Sequence, residues 1–192
     1  MLILVRHGRT TANAGGLLQG RLDLPLDGVG RAQVASMAER IGRPDRLVSS
    51  PLLRARQTAE AFGVPYEIDD RWEELFYGEY EGVRMTDIDP AIWDRWRGDE
   101  DFAPPGGESM RELGERVRAA CNDLLAEAVD HTVVVTSHVS PIKVAVAWAL
   151  SAPVSISWRC FLDQGAACRI MCTPTGPMLI GFNEVPLSSR TR

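Results

Sequence analysis

Leu2-Ile3-Leu4-Val5-Arg6-His7-Gly8 is the stretch on which the fold turns. Four apolar residues in succession, two of them β-branched, read as a strand buried on both faces, because a strand wet on one side alternates apolar with polar. A guanidinium, an imidazole and a glycine follow at once. In an open α/β sheet that place is the carboxyl end of a strand, where ligands bind. The layout recurs twice further along. The strand Arg46 to Ser49 runs into Ser50-Pro51, with Arg54 one turn into the next helix, and the apolar strand Thr132 to Thr136 runs into Ser137-His138. Two histidines and two arginines therefore converge at one sheet edge.

Between these strands the pattern is helical. Gly28 to Ile41 carries a fair apolar stripe closed by Gly42 and Pro44. Leu52 to Phe62 ends at Gly63, with Ser49 or Ser50 available as its cap. Ser109 to Val129 is the longest amphipathic run, and Pro141 to Leu150 has proline in its first turn. Gly8 to Asp27 reads as a long structured loop, a feature usually functional in a compact domain. Short strands are expected at Tyr66 to Ile68, Trp158 to Leu162, Ala166 to Cys172 and Met178 to Phe182, and the last ten residues look frayed. The expectation is an α/β fold: a three-layer sandwich around a mostly parallel central sheet with an antiparallel edge. We read residues 1–192 as a single domain with a lid-like insert at about 69–107, rich in tryptophan, aspartate and proline and holding one helix between Met85 and Arg97. Trp93 and Trp96 read as packing residues that a lid would also let face a ligand.

Composition narrows the function. With 192 residues, 45% hydrophobic and 24% charged, the chain is long enough for a substantial core. Against 21 basic residues stand 26 acidic ones, a net charge of −5 with no block of one sign, so neither nucleic acid nor an anionic membrane is an expected partner. No stretch approaches a membrane span and Met1 to Val5 lacks a signal-peptide layout, which places the protein in the cytoplasm. One basic residue, Lys143, is lysine and the other 20 are arginine, so anion binding must rely on arginine. Cys121, Cys160, Cys168 and Cys172 lack metal or redox spacing and read as buried free thiols. His131, before a strand, reads as structural or solvent-exposed.

The convergent groups suit a phosphate monoester. Imidazole attacks phosphorus well, and guanidinium groups clamp the oxygens over which transition-state charge spreads. Nearby guanidinium charge also disfavours imidazolium and keeps His7 ready to attack at neutral pH. A leaving alkoxide needs an acid, and Glu73, Glu74, Glu79 and Glu81 compete for that role. Spacing to Gly78 selects Glu74, whose aromatic neighbours and a bound dianion would raise its pKa, while Glu81 reads as a loop-ordering carboxylate.

At this point the chain resembles the histidine phosphatase superfamily, in the branch that includes cofactor-dependent phosphoglycerate mutases, fructose-2,6-bisphosphatase-like and α-ribazole phosphatases. The resemblance rests on Leu4-Val5-Arg6-His7-Gly8 with Thr10 and Asn13, on Gln19-Gly20 and Pro25-Leu26 before Gly30, on Ser49-Ser50-Pro51-Leu52 with Arg54-Ala55 and Gln57-Thr58-Ala59, on Glu74 with Gly78 and Glu81-Gly82, on Gly106-Gly107-Glu108-Ser109, and on Ser137-His138. It implies that His7 is a nucleophile forming phosphohistidine, that Arg6, Arg54 and His138 hold the phosphoryl group, and that Glu74 gives and then takes the proton. Asn13, Gln19 and Gly20 match positions that touch substrate in relatives. It implies no metal and no cofactor, arginines taking the place of Mg²⁺.

Departures from that pattern bear on the reaction. Relatives commonly carry Glu or Gln where this chain has Arg9, and Gly-Gly where it has Val139-Ser140. Phosphoglycerate mutases bring a lysine and an arginine pair from an insertion after the acid motif, where this chain offers only the separated Arg84, Arg95 and Arg97. The expected function is thus metal-independent hydrolysis of a small phosphorylated metabolite. Its rivals are a phosphoglycerate mutase, a catalytically silent phosphate-binding module, and a metal hydrolase built on His7 and His138, which lacks the carboxylates such a site needs. Exposed sheet edges and apolar helix faces leave room for a homodimer.

Overall fold

In the computed structural model, which describes residues 1–185, six strands form one sheet in the order β3-β2-β4-β1-β5-β6. In chain order these are β1 (Leu2–Arg6), β2 (Arg46–Ser49), β3 (Glu67–Ile68), β4 (Val133–Ser137), β5 (Ala167–Thr173) and β6 (Gly176–Glu184). The first four are mutually parallel, while β5 and β6 run antiparallel and close the edge as a hairpin. The expected three-layer sandwich is what forms. Side chains of β1 divide by parity: Leu2 and Leu4 enter the larger core, and Ile3 and Val5 the smaller one on the opposite face. β4 does the same with Val133 and Val135 against Val134. Burial on both faces is why these strands read as unbroken apolar runs.

The helices are α1 (Thr11–Ala14), α2 (Gly28–Ile41), α3 (Leu53–Glu60), α4 (Pro90–Gly98), α5 (Met110–Leu125), α6 (Glu127–Asp130) and α7 (Val139–Ala149). Two of the long ones have a clear chemical start. Asp27 caps α2 by accepting from Gly30 N at 2.7 Å, and Ser109 and Glu112 form a capping box on α5. α5 and α7 pack on the larger core through Leu113, Val117, Ile142 and Val146. Met37 of α2 and Ala59 of α3 cover the other face.

Four local expectations are corrected. The run Trp158 to Leu162 is not a strand: Val154–Arg159 forms 3-10 turns, and the apolar residues after it line a cleft instead of a ladder. Thr11–Ala14 is a short helix inside the expected loop, held by a capping box between Thr10 and Asn13. The helix expected over Met85 to Arg97 starts at Pro90 behind the cap Asp89, with a separate 3-10 turn at Met85–Asp87. The predicted serine cap of α3 is absent, since Leu52 occupies the cap position with no side-chain bond. Of the residues expected to fray, Asn183 and Glu184 complete β6, and 186–192 lie outside the described residues.

Candidate active site

Strand register builds the site. Arg6 pairs with Ser137 across the parallel β1–β4 ladder, so the next residue of each strand, His7 and His138, emerges side by side. Their ring centroids lie 5.1 Å apart. On the other flank Ser49 pairs with Thr136, which brings Ser50 level with Ser137. Ser50 Oγ then lies 2.7 Å from His138 Nε2. Residues far apart in sequence thus meet because their strands are neighbours in register.

Hydrogen bonds fix the state of His7. Its Nδ1 lies 2.7 Å from the carbonyl of Gly8, which can only accept, so Nδ1 carries the hydrogen. Nε2 is left with its lone pair and accepts from Arg54 Nε at 3.2 Å. Burial, then the charges of Arg54 and Arg6, push the His7 pKa well below 6.5. Burial, Arg54, His7 and Arg6 do the same to His138. The imidazole at position 7 is therefore neutral, oriented and nucleophilic.

Arg54, fully buried, is aimed by a loop. Its Nη1 donates to Leu22 O at 3.1 Å and its Nη2 to Gly20 O at 2.6 Å and Gln19 O at 3.3 Å. That loop is tied by Glu81, whose carboxylate accepts from the main-chain N–H groups of Gly20, Arg21, Leu22 and Tyr77. Glycine at position 20 permits the approach, since a Cβ there would strike Glu81 Oε1 and the carbonyl of Leu75. Arg6 reaches the same region and is held through Nη1 by Leu162 O. Its Nε is buried and has no partner among the described residues. A buried guanidinium with a spare donor beside a second guanidinium is a site for an oxyanion.

Glu74 is buried and lies across the start of α7. Its oxygens accept from Leu75 N at 2.8 Å, Val139 N at 3.1 Å and Ser140 N at 3.2 Å. Three main-chain N–H groups thus hold the carboxyl, with the buried Tyr77 near it. At the Val139-Ser140 departure both residues serve Glu74 through backbone N–H groups, and Ser140 Oγ also lies 3.4 Å from the Tyr77 hydroxyl. Arg9, the other departure, turns away to Asp27 at 2.8 Å.

The predicted substrate contacts fall into two kinds. Gly20 presents its carbonyl to Arg54, whereas the Gln19 amide is consumed inside the loop, Oε1 accepting from Thr10 Oγ1 at 2.6 Å and Nε2 donating to Leu22 O at 3.1 Å. Asn13 Oδ1 accepts from Thr10 N at 3.2 Å as part of the α1 cap. Two positioning residues escaped the sequence reading. Ser50 holds His138. Arg116 grips the Glu108 carboxylate with two nitrogens at 2.6 and 2.8 Å and the carbonyls of Glu73 and Glu74 at 2.8 and 3.2 Å, fixing the backbone that carries the acid. Its only sequence signal was the Gly106-Gly107-Glu108-Ser109 motif that precedes it. None of the three arginines that follow the acid motif in the insert serves the site: Arg84 donates to Gly15 O, Arg95 lies over Phe102, and Arg97 lies over Trp93 and pairs with Asp94.

The model of the histidine phosphatase superfamily, branch 1, matches residues 2–185. The chain belongs to that superfamily. It is 35% identical over 172 residues to a bifunctional protein of Mycobacterium tuberculosis, covering 84% of this chain and 47% of that one, so it spans about half the length of the first curated relatives it matches. It is 34% identical over 183 residues to the glucosyl-3-phosphoglycerate phosphatase of Mycobacterium tuberculosis, over 86% of this chain and 82% of that one. The solved structure of a mycobacterial glucosyl-3-phosphoglycerate phosphatase complexed with VO3 matches with a TM-score of 0.86 at 30% identity, covering 95% of this chain and 98% of that one. No described helix is long and apolar enough to cross a membrane.

Proposed function

We propose that the protein is a metal-independent phosphomonoester hydrolase that works through a phosphorylated His7 on a small phosphorylated metabolite. The observation that carries this is the tautomer of His7: with its hydrogen on Nδ1, facing Gly8 O, the lone pair lies on Nε2, where it accepts from Arg54 Nε until a phosphoryl group takes that guanidinium. In the first step Nε2 attacks phosphorus and the P–O bond to the leaving group breaks. Arg6, Arg54 and His138 hold the three equatorial oxygens, and protonated Glu74 gives its proton to the departing alkoxide. In the second step the Glu74 carboxylate takes a proton from water as the water oxygen attacks phosphorus, and the N–P bond breaks. Phosphate leaves and His7 is restored.

The engagement of Arg84, Arg95 and Arg97 elsewhere favours water over a second substrate as acceptor. The insert brings no cation to hold a phosphoglycerate in place for return of the phosphoryl group. In this reading residues 69–107 cover the site as part of a single domain, the protein acts in the cytoplasm, and its partner is a small anion rather than nucleic acid. Homodimer formation across the open β6 edge, where Met178 and Ile180 are exposed, completes the proposal.

The test is phosphate release from a panel of phosphorylated metabolites and an aryl phosphate, with EDTA present, for the wild type and His7→Ala. Turnover that needs no metal and vanishes in the variant is the expected result. Turnover that survives His7→Ala removes the nucleophile, and isomerisation of phosphoglycerate faster than phosphate release makes the protein a mutase.

A further inference from the structure

Beside the phosphoryl site a cleft of about 320 Å³ opens between the insert and the segment that follows α7. Arg6, Val139 and Ser140 belong to both, so the cleft begins where a leaving group would depart. Its walls are apolar and broad: Met85, Trp93, Trp158, Phe161 and Leu162 line it. Trp93 and Trp158 meet edge to face at 6.5 Å. At the rim, Phe161 is 72% exposed and Met85 47% exposed. Large apolar side chains left this open beside a polar reaction centre gain by covering with a ligand.

One charge other than Arg6 stands in the cleft. Lys143, the only lysine of the chain, sits on α7 one residue beyond Ile142 and half-buried, and no carboxylate lines the cleft with it. Among the described residues none lies within ion-pair distance of its Nζ. Burial and the charge of Arg6 hold its pKa below the usual 10.5 against the weaker pull of the Glu74 carboxylate, and an incoming anion offsets that cost.

We propose that this cleft receives the leaving group of the substrate, and that the group has an apolar body about the size of an aromatic ring bearing an anionic substituent that pairs with Lys143. The inference rests on the phosphatase reading above. It sets the substrate class apart from small polar esters such as phosphorylated glycerol, which would leave the aromatic walls wet.

Four alkyl phosphates of similar leaving-group reactivity separate the two features: glycerol 3-phosphate has neither, 3-phosphoglycerate has the carboxylate, benzyl phosphate has the ring, and 4-carboxybenzyl phosphate has both. For the wild type we expect kcat/KM to be highest with 4-carboxybenzyl phosphate, about tenfold or more above benzyl phosphate. Lys143→Met should abolish that advantage, bringing the ratio of kcat/KM between the two benzyl esters to about one, as loss of one charge-assisted contact predicts. Phe161→Ser, at an exposed position that folding tolerates, should raise KM for both benzyl esters and spare glycerol 3-phosphate. Higher kcat/KM for either glycerol-based ester, or an equal loss on all four in Lys143→Met, overturns the inference and leaves the phosphatase standing. Failure to release phosphate from these four and from the wider panel above, or hydrolysis surviving His7→Ala, overturns the phosphatase and this inference with it.

Discussion

Arg54 donates from Nε to His7 Nε2 across 3.2 Å while its two Nη atoms are held by the carbonyls of Leu22, Gly20 and Gln19. One planar fork therefore joins the nucleophile to the loop that precedes α2. An ammonium cannot make both sets of bonds, so Arg54→Lys keeps the charge and loses the geometry. We expect kcat to fall about 100-fold or more, as for removal of a donor aimed at developing charge. Stability should fall by about 1–3 kcal/mol, because loop carbonyls lose a buried donor. Steady-state kinetics and urea unfolding check both, and wild-type kcat in the Arg54→Lys variant would show that the fork plays no part in the chemistry.

Glu74 lies where a proton is needed only if the leaving group is a poor one. Glu74→Gln keeps the shape and the contacts to Leu75 that an amide oxygen can accept, yet supplies no proton. With an alkyl phosphate kcat should drop about 100- to 10,000-fold, the usual scale for a positioned acid. With 4-nitrophenyl phosphate, whose leaving group departs unprotonated, the loss in the first step should be far smaller. Equal losses in kcat/KM, which ends at the first P–O cleavage and so leaves out the base step that Glu74 also serves, would place the acid elsewhere, and Glu73 would be tested next.

Much of this was legible in the chain. The runs Leu2 to Val5 and Val133 to Val135 could only be strands buried on both faces, and each was followed by its histidine, so the sheet and the meeting of His7 with His138 came from one observation. What escaped was of two kinds. Thr11–Ala14 is too short to show a helical period and is held by a local cap instead. Trp158 to Leu162 carries strand-like residues, but their apolar character serves the cleft wall, and composition alone does not distinguish a wall from a ladder. Ser50 and Arg116 were out of reach for another reason: their partners, His138 and Glu108 with the Glu74 carbonyl, are set by tertiary packing and by no sequence spacing.

Glu81 touches no reacting atom in this arrangement, and its effect should pass through Arg54. Its carboxylate collects four main-chain donors from Gly20, Arg21, Leu22 and Tyr77. Glu81→Ala frees that loop, and with it the carbonyls that aim the guanidinium. We expect a loss of about 1–3 kcal/mol in stability, the cost of leaving such donors without an acceptor. Phosphate affinity should weaken, read as a rise in the inhibition constant of inorganic phosphate, while the pH profile of kcat keeps its shape because Glu74 is untouched. A changed pH profile would mean that Glu81 itself moves a proton.

The two histidines also set a pH dependence of folding. Both are held well below 6.5 in the native protein, His7 by burial, Arg54 and Arg6, and His138 by burial, Arg54, His7, Arg6 and Arg116. An unfolded chain binds protons on these imidazoles near pH 6.5 while the folded one does not, so unfolding takes up protons and stability rises with pH through that window. The stability they contribute is fully present above the unfolded value and is lost as pH falls from there toward the folded values. The slope of unfolding free energy against pH should approach about 2.7 kcal/mol per pH unit below that point, two protons at about 1.36 kcal/mol each. Asp27, Asp69 and Glu112, held below their usual carboxylate values, act only at lower pH and do not confuse the window. Urea unfolding at a series of pH values between about 7.5 and 5 should give a slope in His7→Asn about half that of the wild type, whatever the variant's absolute stability. An unchanged slope would mean that His7 takes up its proton in the folded protein, and a protonated Nε2 cannot attack phosphorus.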